Sequence, residues 1–114
     1  MILNVRSLPP YKILDLSESA RKYEDVMDIK NRMEEMINAG DRFIAVNLVQ
    51  VEYMHSFFIK ILTITYKKLR ASGGDLVLIA PNSFIKELIQ LLNLQEFITL
   101  FNSELSLADY LKSG

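Results

Sequence analysis

The feature that most constrains this chain runs from residue 43 to residue 74. There an almost unbroken apolar run gives way to a polar turn, an amphipathic stretch and a Gly-Gly pair. Phe43-Ile44-Ala45-Val46-Asn47-Leu48-Val49 fits a strand covered on both faces, the usual state of a strand in a parallel sheet. Val51 and Met54 carry the chain past the sheet edge. Ser56 follows, a residue type that caps helices by accepting a bond from a free backbone N–H. Beyond it Ile59, Leu62, Tyr66 and Leu69 recur at helical spacing, with Lys60, Lys67, Lys68 and Arg70 between them. Gly73-Gly74 supplies the left-handed stop that other residues avoid. Strand, polar turn and helix make one βα unit, and its turn is where function is expected.

The flanking sequence extends the same pattern. Ile2, Leu3 and Val5 form a short strand candidate, Pro9-Pro10 a turn, and Tyr11-Lys12-Ile13-Leu14-Asp15-Leu16 a second strand, together an edge hairpin. Glu24-Asp25 opens a helix with acids at its positive end, and Val26, Ile29, Met33, Met36 and Ile37 form its apolar stripe up to Gly40. Three methionines on that helix read as core filler beneath a sheet rather than as a pliable groove. Leu76-Val77-Leu78-Ile79-Ala80 is another buried strand. Pro81-Asn82-Ser83 makes a turn and N-cap before a helix from Phe84, with Ile85, Leu88, Ile89 and Leu92 facing inward. Phe97-Ile98-Thr99-Leu100-Phe101 is the last strand. Asn102-Ser103 caps a final helix offering Leu105, Leu107 and Leu111 for contact. Strands alternating with helices across short connections predict an α/β fold with right-handed crossovers. The expectation is one domain over 1–114, a mixed sheet of about five strands with about four helices wound as a (βα)n superhelix and covered chiefly on one face.

Composition narrows the functional classes. The chain has 114 residues, enough for one core, and is 50% hydrophobic and 24% charged, as globular rather than disordered chains are. A net charge of −1 builds no positive field for nucleic acid. With no cysteine, disulfides, thiol catalysis and thiolate metal sites are excluded, and one histidine makes a dedicated metal site a poor reading. No signal-peptide pattern follows Met1, and no run approaches the roughly 20 apolar residues of a membrane span. The expectation is a cytoplasmic domain with no cofactor, no metal, no nucleic-acid partner and no membrane insertion.

The central unit resembles the STAS domain, the fold of anti-sigma-factor antagonists and of the tails of sulfate transporters. In that family a strand ends in Asp-Leu, and an Asp-Ser-Ser/Thr-Gly-Leu motif then opens a helix that closes at a glycine. Here the strand ends Asn47-Leu48 and the motif reads His55-Ser56-Phe57-Phe58-Ile59, while Leu62, Gly73-Gly74 and Leu76-Val77-Leu78 keep the family spacing. The resemblance covers Tyr11 through Leu111. It implies a regulatory protein-binding module acting on transcriptional signalling, without enzymatic activity. The partner it implies is an anti-sigma factor with a kinase-like fold, a related regulator or another STAS domain. The second hydroxyl residue of the motif is the family's usual phosphate acceptor, and its place is held by Phe57. Ser56 matches the first hydroxyl, and Phe58 stands where the family has glycine.

Residue chemistry bears on the same turn. His55 beside Ser56 invites a nucleophile–base pairing, but adjacent residues rarely face each other productively, and no carboxylate nearby in sequence is set to orient the imidazole. Gly73-Gly74 sits at a helix end, the wrong terminus for phosphate. Ser56 has two readings, an N-cap or a phosphate acceptor favoured by the helix dipole; the cap is the one adopted. His55 and Asn47 replace family aspartates, which leaves the rim short of acids, and an imidazole at a helix start should be neutral or turned outward. Phe57 and Phe58 point about 100 degrees apart, so both cannot join the stripe of Ile59, Leu62 and Tyr66. At least one ring should be partly exposed, either as a partner anchor or as a plug over the strand ends. His55, Ser56, Phe57, Phe58 and Lys60 are therefore the candidate partner-binding residues. The alternative is a self-assembling or scaffold STAS subunit, a homo-oligomer within a larger regulatory or transport complex.

Overall fold

The structure, a computed structural model, describes residues 1–79 and 81–113. Five strands form one mixed sheet in sequence order: β1 (Leu3–Leu8), β2 (Tyr11–Leu16), β3 (Phe43–Asn47), β4 (Asp75–Ile79) and β5 (Thr99–Phe101). β1 pairs antiparallel with β2 across the Pro9-Pro10 turn, and all later pairs are parallel. The expected hairpin, strand count and alternation are borne out. Ala80, placed in β4 by sequence, lies outside the described residues.

The helices are α1 (Tyr23–Asn38), α2 (Ser56–Ala71), α3 (Ser83–Leu91) and α4 (Glu104–Ser113). A side chain on a strand points to alternate faces, so each strand divides its residues between two cores. Leu14, Leu16, Ile44, Val46, Leu76 and Leu78 form the larger core with Val26, Ile29 and Met33 of α1, Phe58, Leu62 and Leu69 of α2, and Ile85 and Ile89 of α3. On the opposite face Tyr11, Ile13, Ala45, Val77 and Ile79 pack with Leu107 of α4. Covering is thus chiefly one-sided, as the sequence predicts, with a smaller second layer.

Two glycines set the geometry between α2 and β4. Gly73 has φ +84°, the left-handed stop expected from the sequence. Gly74 lies so close to Arg42 that an added Cβ would sit 1.7 Å from its carbonyl oxygen. That same carbonyl accepts the Asp75 N–H at 2.9 Å, so the missing side chain lets the chain reach the sheet.

Several sequence expectations need correction. Leu92, turned inward by periodicity, falls beyond the end of α3 and is exposed, and Leu105, offered for contact, is exposed in the first turn of α4. β5 begins only at Thr99, because a 3-10 turn (Leu94–Glu96) occupies the approach and leaves Phe97 exposed while Ile98 is buried.

Candidate functional site

The turn between β3 and α2 is tied down by side chains from three other segments. Asn47 Oδ1 accepts the Val49 N–H at 3.1 Å, holding the chain as it leaves the strand. Ser19, itself buried, accepts two amides with one Oγ, from Glu52 at 2.8 Å and Tyr53 at 3.0 Å. Asn82 Nδ2 donates to the Val51 carbonyl at 3.1 Å. Val51 and Met54 are buried beneath, so the turn is a fixed platform rather than a loose loop.

The helix start differs from the sequence reading. His55, not Ser56, is the N-cap of α2: its Nδ1 accepts the Phe57 N–H at 3.0 Å, while Ser56 is the first helical residue and is exposed. The imidazole thereby satisfies an amide that a serine or aspartate would otherwise take.

The two phenylalanines separate as helical geometry requires. Phe58 is 0% exposed and lies in the main core, so its candidacy as a docking residue is withdrawn: a ring enclosed by core side chains meets no partner. Phe57 is half-buried and stacks on Tyr23 of α1, with ring centroids 5.1 Å apart and planes inclined by 6°. Tyr23 is exposed, so the stacked pair presents apolar surface to solvent. Beside it Tyr53 meets His55 edge-on at 6.5 Å and carries the Arg21 guanidinium 5.6 Å above its ring. Lys60 is exposed one turn along α2. His55, Ser56, Phe57 and Lys60 thus share one end of the molecule with Arg21, Tyr23 and Tyr53. Sequence reasoning missed the last three: Arg21 and Tyr23 belong to another segment, and Tyr53, though in the same turn, follows no local period; the aromatic and arginine types, enriched in interface cores, were the available signal.

Behind the platform, on the α4 side of the sheet, sits an ion-pair network that is also invisible in local sequence. Arg6 of β1 donates to Asp15 of β2 (Nε to Oδ2, 2.5 Å) and to Glu104 at the start of α4 (Nη2 to Oε1, 2.7 Å). Asn47 Nδ2 donates to Asp15 Oδ1 at 2.8 Å. The Arg6 hydrogen bond, aided by Asn47, holds the Asp15 carboxyl below its usual range, and Asp15 followed by Glu104 raises the Arg6 guanidinium. Asn47, which replaces a family acid, is thus bonded to an acid of the neighbouring strand whose charge is matched by Arg6.

Among the described residues no group of three or more His, Cys, Asp or Glu side chains could hold a metal ion, and no helix is long and apolar enough to cross a membrane. This geometry, a five-stranded sheet in sequence order with a platform ahead of α2, fits the STAS domain profile, which matches residues 22–106. The chain belongs to the STAS domain family. Similar solved structures include a candidate anti-sigma factor antagonist from Thermotoga maritima, with a TM-score of 0.88 and 21% identity over 96% of this chain and 94% of that one. An anti-sigma factor antagonist from Mycobacterium paratuberculosis gives 0.82 at 18% identity, covering 98% and 92%. SpoIIAA, a Bacillus protein, gives 0.81 at 16% in its unphosphorylated form, covering 99% and 98%. These likenesses establish the fold. No curated protein sequence matches the chain significantly.

Proposed function

We propose that this STAS domain is a non-enzymatic regulatory module that captures a protein partner at the start of α2 and works without a serine phosphorylation switch. The observation that supports this most is the state of Phe57. At the position where the family carries its accepting hydroxyl, a phenyl ring lies stacked on Tyr23, half in and half out of solvent. A partner that covers the pair removes two aromatic faces from water, and rings so placed contribute on the order of 2 kcal/mol or more each when fully desolvated. Arg21, Lys60 and the half-buried His55 supply polar groups at the rim. By family resemblance the partner is an anti-sigma factor with a kinase-like fold, a related regulator of transcription or another STAS domain, encountered in the cytoplasm.

The phosphorylation half of the proposal is tested by incubating the chain with its captured partner and ATP, then mapping phosphate by mass spectrometry. Ser56 is expected to stay unmodified, with Ser56→Asp and Ser56→Ala binding the partner alike. Phosphoserine at Ser56, with binding lost in Ser56→Asp alone, would overturn it.

A second reading, self-assembly as a scaffold subunit, is favoured by α3. Its inner residues are Ile85 and Ile89, with Leu88 partly buried against the same core, yet Phe84 and Leu91, at i and i+7, lie on another face and are 60% and 79% exposed. A helix apolar on two sides has a second surface to cover. Size-exclusion measurement at two concentrations separates the readings: a mass that rises with concentration, and stays monomeric in Leu91→Glu, supports the scaffold.

A further inference from the structure

On the face of the sheet covered by α4, at the end remote from the α2 start, three aromatic rings and one carboxylate surround an open cup of about 220 Å³. Its walls are Tyr11, Asp75, Val77, Thr99, Phe101 and Tyr110. Tyr11, Asp75 and Thr99 are the first residues of their strands, whereas His55 lies beyond the last residue of β3, so the cup and the proposed docking face occupy opposite ends. The cup is below the roughly 300–1,000 Å³ typical of pockets for drug-sized ligands, and it suits a small head group.

Each wall has a defined chemistry. Asp75 uses Oδ1 to accept the Leu76 N–H at 2.9 Å, which orients the carboxylate and leaves Oδ2 for another donor. Phe101 and Tyr110 meet with ring centroids 5.5 Å apart, tilted by 57°, and so form a corner rather than a flat stack. Tyr11 is only 6% exposed, its ring held edge-on by Phe43 at 5.4 Å, and it forms part of the cup wall. Burial, then the nearby Asp75 and Tyr110, push that phenol up to about 12, so it stays neutral. Aromatic faces carry negative potential, and a carboxylate among them favours a positive guest.

We propose that this cup binds an ammonium group, the shared chemistry of a free alkylated amine and of a lysine side chain. The cation lies over the Tyr110 and Phe101 rings and against the free Asp75 oxygen, and the Tyr11 hydroxyl turns its oxygen toward it. Arg70, in the last turn of α2, exerts an opposing positive field on Tyr11 and competes with the guest. This inference does not depend on the partner reading of α2.

The test is a titration of the 15N-labelled chain, followed by amide shifts at Val77, Thr99 and Phe101. The probes are choline, its neutral isostere 3,3-dimethylbutan-1-ol, and Nα-acetyl-lysine methylamide. Saturable shifts with a dissociation constant in the millimolar range are expected for the cations, and binding at least about fivefold weaker for the alcohol. Choline binding tighter than the lysine derivative assigns a free amine, and the reverse assigns a peptide side chain. Asp75→Asn, which keeps an acceptor for the Leu76 amide, should bring choline down to the level of the alcohol. Tyr110→Leu, at a 60% exposed position, should weaken it with folding intact, and Arg70→Ala should tighten it. The proposal is overturned by no saturable shift with either cation up to roughly 50 mM, or by equal affinity for choline and the alcohol.

Discussion

The two faces of the sheet are built for different ends. One is a dry, continuous core in which three helices cover Leu14, Leu16, Ile44, Val46, Leu76 and Leu78. The other has a smaller apolar centre under one helix, flanked by the Arg6, Asp15, Asn47 and Glu104 network at one end and an aromatic cup at the other. Both faces of β3 and β4 are apolar, so alternation alone does not rank them. The difference lies in what the loops and termini bring. Stability is concentrated where side chains interdigitate across three helices, and polar chemistry is kept where a single helix leaves space.

That contrast can be broken most forcefully in the large core. Phe58→Ala removes a fully enclosed ring beneath the start of α2 and should cost about 3–5 kcal/mol in denaturant unfolding. Leu107→Ala, on the thin face, should cost nearer the low end of the roughly 2–5 kcal/mol range, because the smaller layer can collapse around the gap. Equal losses at the two sites would show that the faces share the load.

Next in size is the ion-pair network. Arg6→Ala should cost about 1 kcal/mol at low salt, and less as salt is added, because the pair is part-exposed and screened. The pH dependence has a definite sign. Asp15 is held below its ordinary value of 3.8, so its contribution is fully present above that value and is lost as pH falls through the lowered one. Acid titration of stability should therefore be shallower in Arg6→Ala than in the wild type. A parallel pair of curves would remove Arg6 as the cause.

The smallest effects separate cap from neighbour. His55→Ala should cost about 1 kcal/mol by freeing the Phe57 amide, whereas Ser56→Ala should stay within about 0.5 kcal/mol in thermal unfolding. A larger loss at Ser56 would return the capping role to its hydroxyl.

What was legible in the sequence follows from range. Periodicity and the Gly73-Gly74 stop located every strand and helix to within a few residues, since those signals are local. Helical geometry showed that Phe57 and Phe58 could not both face inward; the buried face runs through Phe58, Ile61, Leu62, Thr65 and Leu69 rather than through Ile59, Leu62 and Tyr66, and so covers Phe58. The cap went to His55 because an imidazole nitrogen accepts an amide as a serine does, and residue preference alone ranks serine higher. The pair of Arg6 with Glu104 joins residues 98 apart, and the stack of Phe57 on Tyr23 joins two helices; no local pattern encodes either. Leu92 kept the period of its helix yet falls past the helix end, and Leu105 sits in an opening turn, two residues from the buried Leu107 and so off its face.

The claim that this end of the molecule is a docking face anchored by Phe57 is tested most directly by calorimetric titration of the captured partner into wild-type and Phe57→Ala chains, each first shown to be folded. The ring is half-buried and stacked on an exposed tyrosine, so its loss should lower stability by less than about 1 kcal/mol while weakening the complex tenfold or more. Unchanged affinity in a fully folded Phe57→Ala chain would contradict the account.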